Sequence, residues 1–290
     1  MPTFTPIRRD GSYVDAHGVT IHYYAWAAAK PRAVIQLAHG LGEHALRYEA
    51  GLVPKLVAAG YSVWADDHRG HGATGMGQHD GDRSRLGRLG VGGNRATVEG
   101  IHQFTGIIRD ANPGLPIVFL GQSWGSLLGQ VILNRWPGDY DAFVLTGTAY
   151  RSVRHMNSGD LNKKHKHLGT TGNEWLSRDV AVHTAFSDDP LNFAAMASKL
   201  FGLVDGARLL GRPAKKLGAD IPLLIMIGSE DSLGGERSVE LLARDYVKRS
   251  GLTDVQAVVY PGARHELFHE TNKDEVVADL LAWLDSRLPS

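Results

Sequence analysis

The chain has no cysteine among its 290 residues. That removes disulfides, thiol nucleophiles and cysteine-ligated zinc together, and leaves the redox compartment open. Neither charge is in surplus, since Lys+Arg and Asp+Glu are equal at 31 each. No long-range field therefore recruits nucleic acid or an anionic membrane, and the expected partner is a small molecule, neutral or only locally charged. No apolar run approaches the roughly 20 residues of a membrane span, and Met1 to Asp10 holds no apolar core of signal-peptide length. A cytoplasmic location is the expectation. His-Glu-x-x-His is absent, and the polar run Asp66-Asp67-His68-Arg69-Gly70-His71-Gly72 matches no standard ligand spacing. It reads as a loop whose polar groups bond locally; neither metal nor cofactor is expected.

What is present is ordinary for a globular chain with a sizeable core: 43% hydrophobic and 21% charged residues. Ser12 to Val14 and Thr20 to Trp26 flank the turn-rich Asp15-Ala16-His17-Gly18 and read as a hairpin at a sheet edge. Ala33 to Ala38, Tyr61 to Ala65, Ile117 to Leu120, Ala142 to Thr146, Leu223 to Ile227 and Val255 to Tyr260 are short apolar or β-branched runs. Such runs are what strands buried on both faces look like. Helical patterns lie between them: Tyr48 to Ala59 capped by Gly60, a face of Val98, Ile101, Thr105 and Ile108, Ser126 to Arg135, and Val239, Leu242, Tyr246 and Val247. A closing helix carries Val276, Val277, Leu280, Leu281 and Leu284 on one stripe. Strand alternating with helix from residue 33 onward predicts an α/β fold with a mostly parallel, doubly wound sheet.

From about Tyr150 to Ala214 that rhythm breaks into Gly, Asn, Thr and Ser among short helical patches such as Phe193 to Phe201. We expect residues 1–149 and 215–290 to form the core and 150–214 a mainly helical cap over the strand ends. The basic run Lys163-Lys164-His165-Lys166-His167 reads as a solvated face, with at most a transient membrane-surface contact. Nothing in the sequence bears on oligomeric state.

Three loops that follow buried strands carry the chemistry. Gly121-Gln122-Ser123-Trp124-Gly125, between a strand and a helix, has the form of a nucleophile elbow: the glycines admit close backbone approach, and Ser123 is lifted to a helix N-terminus. Gly228-Ser229-Glu230-Asp231 and Pro261-Gly262-Ala263-Arg264-His265 follow the last two strands. A serine hydroxyl is a weak nucleophile at neutral pH. An imidazole can take its proton, and a carboxylate can hold the imidazole and stabilise its cation. Asp231 is preferred to Glu230 as the acid because a short carboxylate suits a tight loop. The chain order Ser, Asp, His is that of the α/β-hydrolases, not of the chymotrypsin or subtilisin folds. A fourth loop, His39-Gly40-Leu41-Gly42-Glu43-His44, is a glycine-rich strand end of the kind that offers amides to an oxyanion.

With these motifs in view, the sequence resembles the monoacylglycerol lipase and lysophospholipase-like branch of the α/β-hydrolases. The resemblance rests on His39 to His44 followed by Arg47-Tyr48, Asp67 to Gly72, the elbow, Gly228 to Asp231 and Tyr260 to Glu266, and it runs over nearly the whole chain. It implies Ser123 as nucleophile, Asp231 as acid, His265 as base, the amides of Leu41 and Trp124 as oxyanion hole, no cofactor, and an apolar cap over an acyl-chain pocket. The expected activity is carboxylic-ester hydrolysis through an acyl-enzyme, with a monoacylglycerol or similar single-chain ester as substrate. Other small esters (short-chain, aryl, lysophospholipid), a peptide or amide, or a ligand held without catalysis are the alternatives. Relatives commonly carry His-Ser-Met at the elbow, where this chain has Gln122-Ser123-Trp124. The indole either intrudes on the acyl pocket or turns into the core.

Overall fold

The computed structural model describes residues 6–288. The first five and last two residues, at the outer ends of the two expected core segments, lie outside the described residues. Eight strands form one sheet: β1 (Arg8–Val14), β2 (Thr20–Trp26), β3 (Ala33–Ala38), β4 (Tyr61–Asp66), β5 (Ile117–Gln122), β6 (Ala142–Thr146), β7 (Leu223–Gly228) and β8 (Val255–Tyr260), in the order β1-β2-β4-β3-β5-β6-β7-β8. The pairs β1–β2 and β2–β4 are antiparallel and every later pair is parallel. This is the expected architecture, with the hairpin at the edge and its first strand beginning at Arg8 rather than Ser12. The right-handed crossovers preferred by parallel units leave helices on both faces.

The continuous apolar runs are explained by that double cover. In β3, Ile35 and Leu37 join a cluster with α1 (Leu52–Ala58) and α8 (Lys273–Asp285) on one face. Val34 and Ala38 join the opposite cluster with α3 (Gly93–Ala111) and α4 (Trp124–Arg135). All six β3 residues are buried. The strand order reverses beside β3, whose sequence successor β4 lies on one side and β5 on the other. Loops leaving β3 and β5 diverge there, at the crevice where open α/β sheets place ligands.

Several boundaries differ from the sequence expectation. The helix expected from Tyr48 to Ala59 forms as a 3₁₀ turn at Ala45–Tyr48 and then α1. Pro54 has no N–H and would clash with the carbonyl four residues back, so it fits only in the first turn. A further helix, α2 (Gly72–Gln78), has three glycines in seven residues, which conceals it from any propensity argument. Between β6 and β7 there is no strand among the described residues; the segment holds α5 (Val180–Asp188), α6 (Ala197–Ala207) and short 3₁₀ turns. The helical patch expected at Phe193 to Phe201 therefore starts later, and α6 kinks at Gly202, whose φ is +63°. Beyond it, α7 (Glu236–Asp245) runs into a π-type turn at Tyr246–Ser250. That turn shifts the periodicity: Tyr246 is buried, whereas Val247, expected on the same buried face, is 46% exposed.

Candidate active site

Ser123 stands between β5 and α4 with φ 55° and ψ −121°, backbone that non-glycine residues rarely adopt. The turn is held from two sides. Ser123 N–H donates to Thr146 O at 2.9 Å, and a Cβ at Gly125 would lie 2.2 Å from Ala38 O. The elbow therefore fits against β3 only with glycine at that position.

The three sequence-predicted side chains meet. Ser123 Oγ is 2.7 Å from His265 Nε2, and His265 Nδ1 is 2.9 Å from Asp231 Oδ1. An ionised carboxylate only accepts, so Nδ1–H donates to Asp231 and Nε2 is left to accept from the serine hydroxyl. Asp231 Oδ1 also accepts from Leu233 N–H at 2.8 Å. Burial disfavours charge on His265, but the charge and hydrogen bond of Asp231, with Glu266 and Glu43 further away, outweigh it and raise the pKa above the ordinary histidine value. Glu230 points elsewhere: its carboxylate pairs with Lys164 at 2.5 Å, and its carbonyl lies 3.0 Å from His165 Nε2. The basic run expected to be a solvated face is thus partly spent on the acid loop, and His165 is only 3% exposed.

Leu41 lies on the loop after β3, and Trp124, directly after Ser123, is the first residue of α4. Their backbone N–H groups donate to no other described group, which leaves them available. The loop of Leu41 is fixed by groups the sequence reasoning passed over. Glu43 Oε1 accepts from Gly40 N–H at 2.6 Å and from Tyr48 Oη at 2.8 Å. Arg47 Nη1 donates to Glu43 Oε2 at 2.5 Å and to Glu266 Oε1 at 2.6 Å, while Nη2 donates to Glu266 Oε2 at 2.9 Å. Burial opposes charge on Glu266, yet the Arg47 guanidinium holds it well below the usual carboxylate range. A buried pair of this kind would cost several kcal/mol to break, because one charge would be left alone. It ties the β3 loop to the residue next to His265. The i, i+4 spacing of Glu43 and Arg47 was the available signal. Gln122 adds a second tie, donating from Nε2 to His265 O at 3.0 Å while its Oε1 accepts from Thr146 Oγ1 at 2.6 Å.

The indole of Trp124 is 2% exposed and takes both of the positions the sequence left open. It packs on His71 and Phe201 at ring distances of 5.0 and 5.7 Å, and Nε1–H donates to Asn94 Oδ1 at 3.0 Å. Asn94 N–H in turn donates to Asp205 of α6, a carboxylate placed at the N-terminus of α3. Trp124 nevertheless lines a cavity of about 570 Å³ above Ser123, with Leu41, Leu127, Phe186, Leu200 and Phe201 among its walls.

No group of three or more His, Asp or Glu side chains suited to a metal ion occurs among the described residues. The polar loop after β4 instead packs inward. His39 Nδ1–H donates to Gly40 O at 2.7 Å, His39 Nε2 accepts from His68 N–H at 3.0 Å, and the two rings stack at 4.0 Å. His71 donates from Nδ1–H to Arg69 O at 2.9 Å. Burial pushes the pKa of His39 and His71 down, the latter to about 3.

An elbow serine at the β3–β5 crevice, hydrogen-bonded to a histidine that is hydrogen-bonded in turn to an acid, the two standing on the last two strand loops, defines the chain as an α/β-hydrolase. It belongs to the family described as "Serine aminopeptidase, S33", whose model matches residues 29–272. It is similar to a monoacylglycerol lipase of Mycolicibacterium smegmatis, 33% identical over 97% of this chain and 98% of that one. The human monoglyceride lipase is 27% identical, over 94% of this chain and 89% of its own. Among solved structures, a thermostable carboxyl esterase from Bacillus coagulans in complex with glycerol superposes with a TM-score of 0.79 at 23% identity, covering 97% of this chain and 98% of that one.

The buried histidines make a prediction about acid stability. An unfolded histidine binds a proton below about 6.5, whereas folded His71 does so only near 3. Its contribution to stability is present above pH 6.5 and is lost as the pH falls through that window. Going from pH 7 to pH 5 should cost about 2 kcal/mol from His71 alone. Urea unfolding of His71→Phe, which keeps a ring against Trp124, should show a correspondingly flatter pH dependence; an unchanged slope would assign the acid sensitivity to other groups.

Proposed function

We propose that the chain hydrolyses carboxylic esters of a single acyl chain, monoacylglycerols first, through an acyl-enzyme on Ser123. The observation that carries this reading is the hydrogen-bonded line from Ser123 through His265 to Asp231 at the floor of an apolar cavity. In this mechanism Ser123 Oγ attacks the ester carbonyl as His265 Nε2 takes its proton. The amides of Leu41 and Trp124 hold the oxyanion, and the proton passes to the departing alcohol. Water, deprotonated by the same imidazole, then releases the fatty acid. Residues 150–214 act as the cap, closing the cavity with Phe186, Leu200 and Phe201, and residues 1–149 and 215–290 form the core. A cytoplasmic location and, at most, transient contact of the cap with a membrane surface belong to the same reading.

The matched family's description raises the peptidase alternative, and the cavity argues against it. A peptidase that recognises a free amine needs a free carboxylate to grip it. Of the acids lining the cavity, Glu43 and Glu266 are buried and committed to hydrogen bonds with Arg47, which leaves the exposed Asp160, itself capping a turn through Asn162 N–H, as the single carboxylate there open to an amine. The full contact set among Ser123, His265 and Asp231 likewise favours an enzyme over a binding protein that has lost catalysis.

A substrate panel tests the class. For monoacylglycerols, kcat/KM should rise about fourfold per methylene, the equivalent of ~0.8 kcal/mol, until the cavity is full, and then fall. It should exceed the values for lysophospholipid and aryl esters, and aminoacyl anilides should be turned over negligibly; anilide cleavage faster than ester cleavage would overturn the reading. The role of Asp231 is tested separately. Asp231→Asn should lower kcat by ~10⁴, as neutralising a triad acid does, whereas Glu230→Gln should cost far less because its partner is Lys164. The opposite ranking would assign the acid to Glu230.

A further inference from the structure

Arg151 is 4% exposed, yet it has no carboxylate partner among the described residues. This sets it apart: Arg69, buried as deeply, is paired with Asp15, and Arg47 lies between Glu43 and Glu266. Its Nε donates to Gln130 Oε1 and its Nη1 to Leu209 O, both at 3.1 Å and both neutral. A guanidinium has five N–H groups, so three remain, and Nη2 donates to no described residue. A buried cation without a counter-charge is costly and is rarely kept without use.

Arg151 lines a cleft of about 520 Å³ separate from the cavity above Ser123, and its Nη2 lies against Gly211, a further residue of that cleft, where a Cβ would be 2.9 Å away. Arg212 and Arg244 also line it; both are exposed, and neither forms a salt bridge with a described residue. Ser152 and His155 are on its wall. The single carboxylate there, Asp245, accepts from Tyr150 Oη–H at 2.7 Å, and Tyr150 Oη in turn accepts from Arg212 Nε at 3.1 Å. Three positive charges thus face one negative charge. The position is equally specific: Tyr150 to His155 is where the chain leaves β6 for the segment 150–214, Leu210 to Arg212 is where it returns, and Leu241 to Asp245 belong to α7.

We propose that this cleft is an anion-binding site for a phosphate group, either free phosphate or a phosphomonoester headgroup, with Arg151 at its floor and Arg212 and Arg244 at its mouth. A tetrahedral dianion presents separate oxygens for bidentate contacts with several guanidinium groups and carries more charge than a chloride ion, which has no such oxygens. Because the cleft joins both crossings to α7, the bound anion braces the root of the segment that roofs the active-site cavity.

The test is thermal unfolding and ³¹P NMR of the intact protein titrated with inorganic phosphate, with sodium chloride holding ionic strength constant. A parallel arm measures co-sedimentation with phosphatidylcholine vesicles with and without phosphatidic acid. The proposal expects a saturable rise in Tm and phosphate line broadening, weakened about tenfold or more in the double variant Arg212→Ala/Arg244→Ala, whose exposed side chains are not needed for folding. Ester turnover by that variant confirms its fold. Co-sedimentation confined to phosphatidic acid vesicles and lost in the variant would equally support the site, with a lipid headgroup as the source. A phosphate effect no larger than that of chloride with no vesicle binding, or responses unchanged in the double variant, would overturn it.

Discussion

The strained backbone of Ser123 is the constraint on which the rest of this molecule depends. A non-glycine residue at φ 55° and ψ −121° costs on the order of 1–3 kcal/mol and persists only when its surroundings leave no alternative. Here they leave none. The chain enters from a fully buried strand and leaves in a buried helix, Ser123 N–H is fixed on Thr146 O, and Gly125 sits on the carbonyl of Ala38 with no room for a Cβ. The parallel sheet supplies that rigidity, and its order reversal beside β3 opens the crevice into which the serine points.

Alignment then requires the three loops around the serine to hold position relative to one another, and buried polar groups do this. Arg47 joins Glu43, which holds Gly40 of the loop after β3, to Glu266, the neighbour of His265. Gln122 joins the elbow to the His265 carbonyl. Both ties are desolvated, so their energies are larger than those of surface pairs, and loss of one partner is correspondingly damaging. The acid loop is steadied from outside through Lys164 and His165. Trp124 reaches the other way, through Asn94 to Asp205 on α6, so the residue directly after Ser123 also bears on the helix lining the cavity.

Much of this was legible in the sequence because its causes are local. A strand buried on both faces must be apolar throughout, so Ala33 to Ala38 and Leu223 to Ile227 could be read directly. The elbow and Asp231 each follow such a strand, whereas His265 follows the edge strand β8, whose Gln256 and Ala257 are exposed. What could not be read depended on contacts distant in sequence. Glu266 lies 219 residues from Arg47 and looked like an ordinary acid after a histidine. Nothing in Lys163 to His167 announced a contact with Glu230. α2 was concealed by its glycines, and the outward turn of Val247 arises from a π-type turn with no sequence mark. Trp124 was visible as a departure from Met, but its direction was set by Asn94, which a helical pattern alone could not select.

Reaction of the intact protein with a fluorophosphonate, followed by intact mass and peptide mapping, tests the central claim most directly, because only an activated serine beside competent oxyanion donors reacts rapidly. The account predicts one equivalent of adduct, located on Ser123, formed faster as the pH rises through the raised pKa of His265, and absent from a folded Ser123→Ala variant. Adduct on another residue, or labelling that persists in that variant, would contradict it.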